Sequence, residues 1–151
     1  ATYVADLAED LRASLGLKDV DLVVEAEPIQ LDIRRAIPCA LIMNELVSNA
    51  FKHGVKVDGP DNGREAGSQV VVRLGSAASA VEMSVYNRGR PLPDDFDLAV
   101  TDSLGLYLVR LLSQQLDGVL AVHRQGGTTF VLRFPLQPEG SESGHGSDTG
   151  V

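Results

Sequence analysis

Ala40-Leu41-Ile42-Met43-Asn44-Glu45-Leu46-Val47-Ser48-Asn49-Ala50-Phe51-Lys52-His53-Gly54 is the stretch whose reading decides the fold. On a helical wheel at 100° per residue, Cys39, Ala40, Met43, Leu46, Val47, Ala50 and Phe51 share one broad apolar face. A helix that apolar on one side must be laid on a sheet or on another helix. Glu45, Asn49, Lys52 and His53 fall together elsewhere, at i, i+4, i+7 and i+8. That line holds one carboxylate, one carboxamide and one or two bases. A carboxamide oxygen is a hard ligand suited to Mg²⁺, which keeps most of its waters and bridges to phosphates. A carboxylate one turn away can accept a proton or orient a nucleophile. A lysine further along meets phosphate as a point charge. The plainer reading is a solvated face of an amphipathic helix, which leaves the glycine-rich segments downstream unexplained.

Working outward, the helix begins between Asp32 and Pro38 and ends near His53. Pro38 is expected in its first turn, where a missing N–H costs nothing. Upstream, Asp21–Ala26 reads as a strand and 28–31 as a short extended piece. Residues 3–15 read as an amphipathic helix through Val4, Leu7, Leu11 and Leu15, stopped by Gly16. Downstream, residues 55–68 are a polar loop, and 69–74 and 80–86 are paired strands. Residues 87–103 form a long connection with Pro91 and Pro93. A helix over 104–116 follows, with Leu104, Leu108, Val109, Leu111 and Leu112 expected in the core. A hairpin of 119–123 and 128–134 closes around Gln125-Gly126-Gly127. The tail 137–151 is Gly, Ser, Glu and Asp and predicts disorder. The fold class is therefore α+β: a two-layer sandwich of four or five mostly antiparallel strands with helices on one face.

The chain has 151 residues, 44% of them hydrophobic, enough for one domain with a core. A net charge of −8 argues against a nucleic-acid partner. Cys39 is the lone cysteine, so an internal disulfide is excluded, and a small buried apolar role fits it better than a reactive thiol. A reducing, cytoplasmic setting is expected. No apolar run is long enough to span a membrane.

The stretch from Ala40 to Gly54 resembles the N box of sensor histidine kinases, nearest the subgroup reading roughly LILNELVTNALKHA. Further motifs follow in that family's order. Val85-Tyr86-Asn87-Arg88-Gly89-Arg90-Pro91 and the residues to Asp97 resemble the G1 box and the start of the ATP lid. Ser103-Leu104-Gly105-Leu106-Tyr107-Leu108-Val109 resembles the G2 box, and Gly127-Thr128-Thr129-Phe130 the late GTxF motif. The resemblance covers 18–136, shared with gyrase and the heat-shock chaperone of about 90 kDa, and implies a Bergerat-type ATP-binding fold. Residues 1–17 look like the end of the preceding dimerisation helix and its linker. Ala1 falls in mid-helix, as in a piece of a longer protein.

The resemblance implies Mg-ATP as ligand and Asn49 as the Mg²⁺ ligand. Glu45 stands where water-activating relatives hold a general base. Lys52 and His53 would approach the phosphates, and Asn87, Gly89 and Thr128 the adenine end. Leu104, Gly105 and Leu106 open a helix whose free N–H groups favour phosphate. Two positions depart from the pattern. Asn87 replaces an aspartate, which turns a charge-assisted bond into a neutral one and loses roughly 1 kcal/mol. The G2 box lacks its early glycine, leaving Ser103 to act as a helix N-cap. The resemblance also implies transfer of the γ-phosphoryl to a histidine on a separate dimerisation domain of the same protein; His53, His123 and His145 lack that phosphoacceptor context, so this chain is expected to be the ATP-binding half. The family pairs such kinases with a response regulator, in a homodimer. The residues also admit an anti-sigma-type serine kinase, or a degenerate module kept for docking or dimerisation.

Overall fold

A computed structural model describes residues 10, 13–14, 21–54, 69–88, 92–100 and 103–136, with backbone alone at 53 and 54. The expected helix at 3–15 is represented by Asp10, Ala13 and Ser14, which are helical and exposed. The rest of 1–20, the loop 55–68, Gly89 and the tail 137–151 lie outside the described residues.

Five strands make one sheet. They are β1 (Asp21–Ala26), β2 (Gln69–Ala77), β3 (Ala80–Arg88), β4 (Val119–His123) and β5 (Thr128–Pro135), in the order β1-β2-β3-β5-β4. β1 and β2 pair in parallel and every other pair is antiparallel. A parallel pair needs a long crossover, and α1 (Ile33–Asn49) supplies it. The hairpins are tight: Ala78 and Ser79 join β2 to β3, with Ala78 at φ 55. α2 (Leu104–Gln115) lies on the same side of the sheet as α1.

Strand alternation assigns the faces. Val81, Met83, Val85 and Asn87 of β3, and Thr128, Phe130, Leu132 and Phe134 of β5, point under the helices and are buried. Ile42, Met43, Leu46 and Val47 of α1 meet them, each at 1% exposure or less. At about 1.5–3 kcal/mol per buried side chain, packing rather than helix propensity holds α1 in place.

Three details depart from expectation. α1 starts at Ile33, capped by Asp32, whose carboxylate accepts from the N–H groups of Arg34 at 2.9 Å and Arg35 at 3.2 Å. Pro38 therefore sits in the second turn, not the first; the backbone acceptor it leaves unpaired belongs to exposed Arg34, where water can serve. Ile42 is fully buried although the apolar wheel face omitted it, because α2 packs along a second flank of α1. On α2 the buried positions are Leu106, Val109 and Ser113, with Leu116 buried at its C-cap, while Leu104 is 80% and Leu111 44% exposed. Ser103 at the N-cap sets that phase, turning Leu104 outward.

Arg35 joins the layers at the far end. It is 5% exposed, donates from Nη1 to the Leu116 carbonyl at 3.3 Å, and its guanidinium lies 5.9 Å from the Phe134 ring centre. A cation there meets the negative end of α2, and the contact fixes α1 and α2 as antiparallel neighbours.

Candidate nucleotide-binding site

The antiparallel helices bring the last turns of α1 to the first turn of α2. Glu45 and Asn49 are half-buried on that flank, one turn apart. Neither makes a side-chain hydrogen bond among the described residues. Past Asn49 the pitch changes: Ala50–Gly54 is a π-helical turn, and the Ala50 N–H is shared between the Leu46 and Val47 carbonyls. Each residue there advances by less than 100°, so the straight line expected from Glu45 to His53 bends after Asn49. Lys52 is exposed; the His53 side chain lies outside the described residues.

The Glu45 carboxylate rests on the start of α2. A Cβ built on Gly105 would lie 2.5 Å from Glu45 Oε2, so only glycine admits the carboxylate in this place. Ser103 caps the same helix, its Oγ accepting from the Leu106 N–H at 3.4 Å, while Leu104 points to solvent. The N box and the G2 box thus touch, with a carboxylate at the positive end of a helix.

β3 and β5 build the other end. Asn87 and Thr128 are directly paired across the two strands, on the helix-facing side, and are 6% and 4% exposed. The Thr128 hydroxyl has no hydrogen-bond partner among the described residues. A buried polar group of that kind is costly unless a ligand or water completes it. The turn beside it demands glycine: Gly127 has φ +134, and a Cβ there would lie 2.6 Å from the Tyr86 ring and 2.7 Å from the Asn87 carbonyl. Tyr86 holds the turn by donating its hydroxyl to the Gly126 carbonyl at 2.7 Å.

Sequence reasoning reads Phe96 as a core or lid anchor, which the structure bears out, but misses Arg124 beside it. Phe96 stacks edge-on to Phe130, centroids 6.5 Å apart, which makes it an anchor of the connection after β3. Arg124 donates to the Phe96 carbonyl at 3.1 Å and lies 5.9 Å from its ring centre. No motif flags an arginine after β4; the contact exists only through tertiary packing.

The profile of the histidine kinase-, DNA gyrase B- and HSP90-like ATPases matches residues 35–138, which span every element of this site. The chain belongs to that ATPase family. Curated relatives place it with the sensor histidine kinases of the family. It is 38% identical over 109 residues to the sensor histidine kinase PdtaS of Mycolicibacterium smegmatis, covering 70% of this chain and 21% of the relative. It is 28% identical over 141 residues to blue-light-activated histidine kinase 2 of Erythrobacter litoralis, covering 91% of this chain and 38% of the relative. The chain thus spans roughly a fifth to two fifths of the relatives' lengths. The histidine kinase domain of an Erythrobacter litoralis blue-light-activated histidine kinase superposes with a TM-score of 0.78 at 26% identity, over 89% of this chain and 59% of that one. The catalytic domain of histidine kinase ThkA, at 19% identity and a TM-score of 0.65 over 91% of this chain and 97% of that one, shares the fold. The chain is thus a histidine kinase catalytic domain of the ATPase family, an α+β sandwich.

The residues present suit ATP and a hard cation. Among the described residues, the buried Thr128 hydroxyl stands without a partner beside the buried Asn87 carboxamide at one end, and at the other the Asn49 carboxamide lies one turn past Glu45, whose carboxylate meets the first turn of α2. Among the described residues no three His, Cys, Asp or Glu side chains gather as a metal cage. A divalent ion here would draw on Asn49, phosphate oxygens and water, the manner of Mg²⁺. Cys39 is buried, and burial pushes its thiol up to about 11, which removes it from the chemistry. No helix among the described residues is long and apolar enough to cross a membrane.

Proposed function

We propose that this domain binds Mg-ATP and donates the γ-phosphoryl group to a histidine on a separate dimerisation helix of a longer protein. The observation that carries the reading is the buried Asn87–Thr128 pair, with its unpartnered hydroxyl, at one end of a site whose other end is the Glu45–Gly105 contact. In this reading Asn87 and Thr128 hold adenine, and Gly89 lets backbone approach the base. Asn49 holds Mg²⁺, which neutralises phosphate charge. Lys52 and His53 approach the phosphates, and Leu104, Gly105 and Leu106 present backbone N–H groups to them. Glu45 orients or deprotonates the attacking imidazole. Transfer needs little else than positioning and charge neutralisation. The full protein acts in the cytoplasm as a homodimer that passes phosphate to a response regulator.

Titration of the chain with Mg-ATP tests the binding. Saturable binding, lost on Asn49→Ala, is expected; none at millimolar nucleotide would end the reading. Labelled ATP added to the full-length protein should give acid-labile label, whereas acid-stable label would indicate a serine kinase. Asn87 favours a second reading, a degenerate docking module, which the same titration decides.

A further inference from the structure

We infer that Arg124 is a positioning residue for nucleotide binding, pinning the base of the connection after β3 against the β4–β5 hairpin. Residues 92–100 are held internally by local bonds: the Phe96 N–H to the Pro93 carbonyl at 3.0 Å, the Ala99 N–H to the Asp97 carboxylate at 2.9 Å, and the Val100 N–H to the Asp97 carbonyl at 3.1 Å. These shape the segment without attaching it to anything. Phe96 and Leu98 pack against the core, and at Phe96 a polar attachment is added, where the Arg124 guanidinium both bonds the carbonyl and lies over the ring. The ring in turn stands perpendicular to Phe130, which is 7% exposed and two positions from Thr128 on the same face of β5. Arg124 itself follows directly on β4, so both ends of the clamp are fixed to sheet strands. The chain Arg124–Phe96–Phe130 therefore ends at the Asn87–Thr128 end of the site.

The inference rests on the proposed nucleotide reading and makes it specific. A tether at the adenine end holds residues 92–100 beside the Asn87–Thr128 pair for any adenine-bearing ligand, whatever its phosphates. A single exposed bond with a cation–π contact is worth roughly three- to tenfold in affinity. The test compares Arg124→Gln, Arg124→Lys and the unsubstituted chain. Adenosine and Mg-ATP affinities are titrated, and native-state exchange of the Phe96, Ala99 and Val100 amides is followed. Arg124→Gln should weaken both ligands by the same factor and speed exchange at those amides while leaving the melting temperature in place. Arg124→Lys, which keeps a cation and a donor, should recover most of both. Unchanged affinities with Arg124→Gln overturn the tether alone. A loss confined to Mg-ATP also overturns it, because that places Arg124 at the phosphates. Exchange raised throughout the sheet overturns it in favour of a general structural role. Failure of the unsubstituted chain to bind either ligand overturns the nucleotide reading, and the tether with it.

Discussion

Gly105→Ala separates the stability of this domain from its chemistry. The added methyl would lie 2.5 Å from Glu45 Oε2, and ordinary contact begins near 3.4 Å, so the carboxylate must retreat by about 0.9 Å (3.4 − 2.5). Glu45 is the far end of a flexible side chain and can turn away, at about 0.5–1.5 kcal/mol if pushed off its rotamer. Losing an anion at the α2 N-terminus costs about 0.3–1 kcal/mol more. Replacing glycine by alanine in a helix returns up to about 1 kcal/mol. The terms nearly cancel, so the melting temperature should move by only a few degrees. Catalysis has no such compensation. A reacting group misplaced by about 1 Å can cost on the order of 10²-fold, so on the role proposed for Glu45 phosphotransfer by the full-length protein should fall by about that factor. A double-mutant cycle checks the cause: in a Glu45→Ala background, Gly105→Ala should add little. Full activity in Gly105→Ala, or an undiminished effect without Glu45, would refute the steric reasoning.

Asn87→Asp should raise nucleotide affinity several-fold, by charge-assisted acceptance from the adenine amino group, and cost the ligand-free domain about 1–3 kcal/mol because the position is 6% exposed; paired melts and titrations read both, and weaker binding would count against the adenine assignment. Cys39 should resist alkylation in the folded chain at pH 8 and react once denatured. Its pKa is raised by burial from 9.0 to about 11, so the stabilisation it contributes is complete below pH 9 and is lost as pH climbs toward 11, at most roughly 3 kcal/mol. Arg35→Ala should destabilise the domain by about 2–4 kcal/mol, through the lost bond to Leu116, the ring contact and the cavity left, with nucleotide affinity of the folded fraction unchanged. A denaturant melt alongside a titration checks it.

Much of this fold was legible because its elements obey simple periods. The strands at 21–26 and 119–123 fall where the sequence reading put them; β2 runs three residues longer because its pairing with β3 continues into the tight turn, while β3 gains Asn87 and Arg88, paired with Val70 and Gln69, and β5 gains Pro135, paired with Ala80. The helix-facing side of α1 was only half readable. A wheel shows which residues are apolar, but not that a second helix covers Ile42 or that Leu41 stays 42% exposed. The same limit explains Leu104 and Leu111, whose exposure depends on where Ser103 starts the helix. In the site, Glu45 and Asn49 share a flank as the spacing required, since i and i+4 survive within one regular helix. The π-turn at Ala50 was invisible because nothing in Ala50-Phe51-Lys52-His53-Gly54 marks a change of pitch. The Arg124–Phe96 contact joins residues 28 positions apart, beyond any local pattern.

The strand order has a thermal consequence. β3 has a neighbour on both sides, and Asn87 is paired there with Val70 of β2 and with Thr128 of β5, so the backbone at this end of the site is released late as the sheet opens. Asn49 borders the irregular last turn of α1, and Gly105 sits in the first turn of α2, positions that fray at far lower free energy. With the proposed nucleotide assignments, the domain should on warming lose its grip on polyphosphate before its grip on the purine. The preference for ATP over adenosine would shrink across a range of temperature in which the melting curve is still flat, and the enzyme would fall silent while still folded.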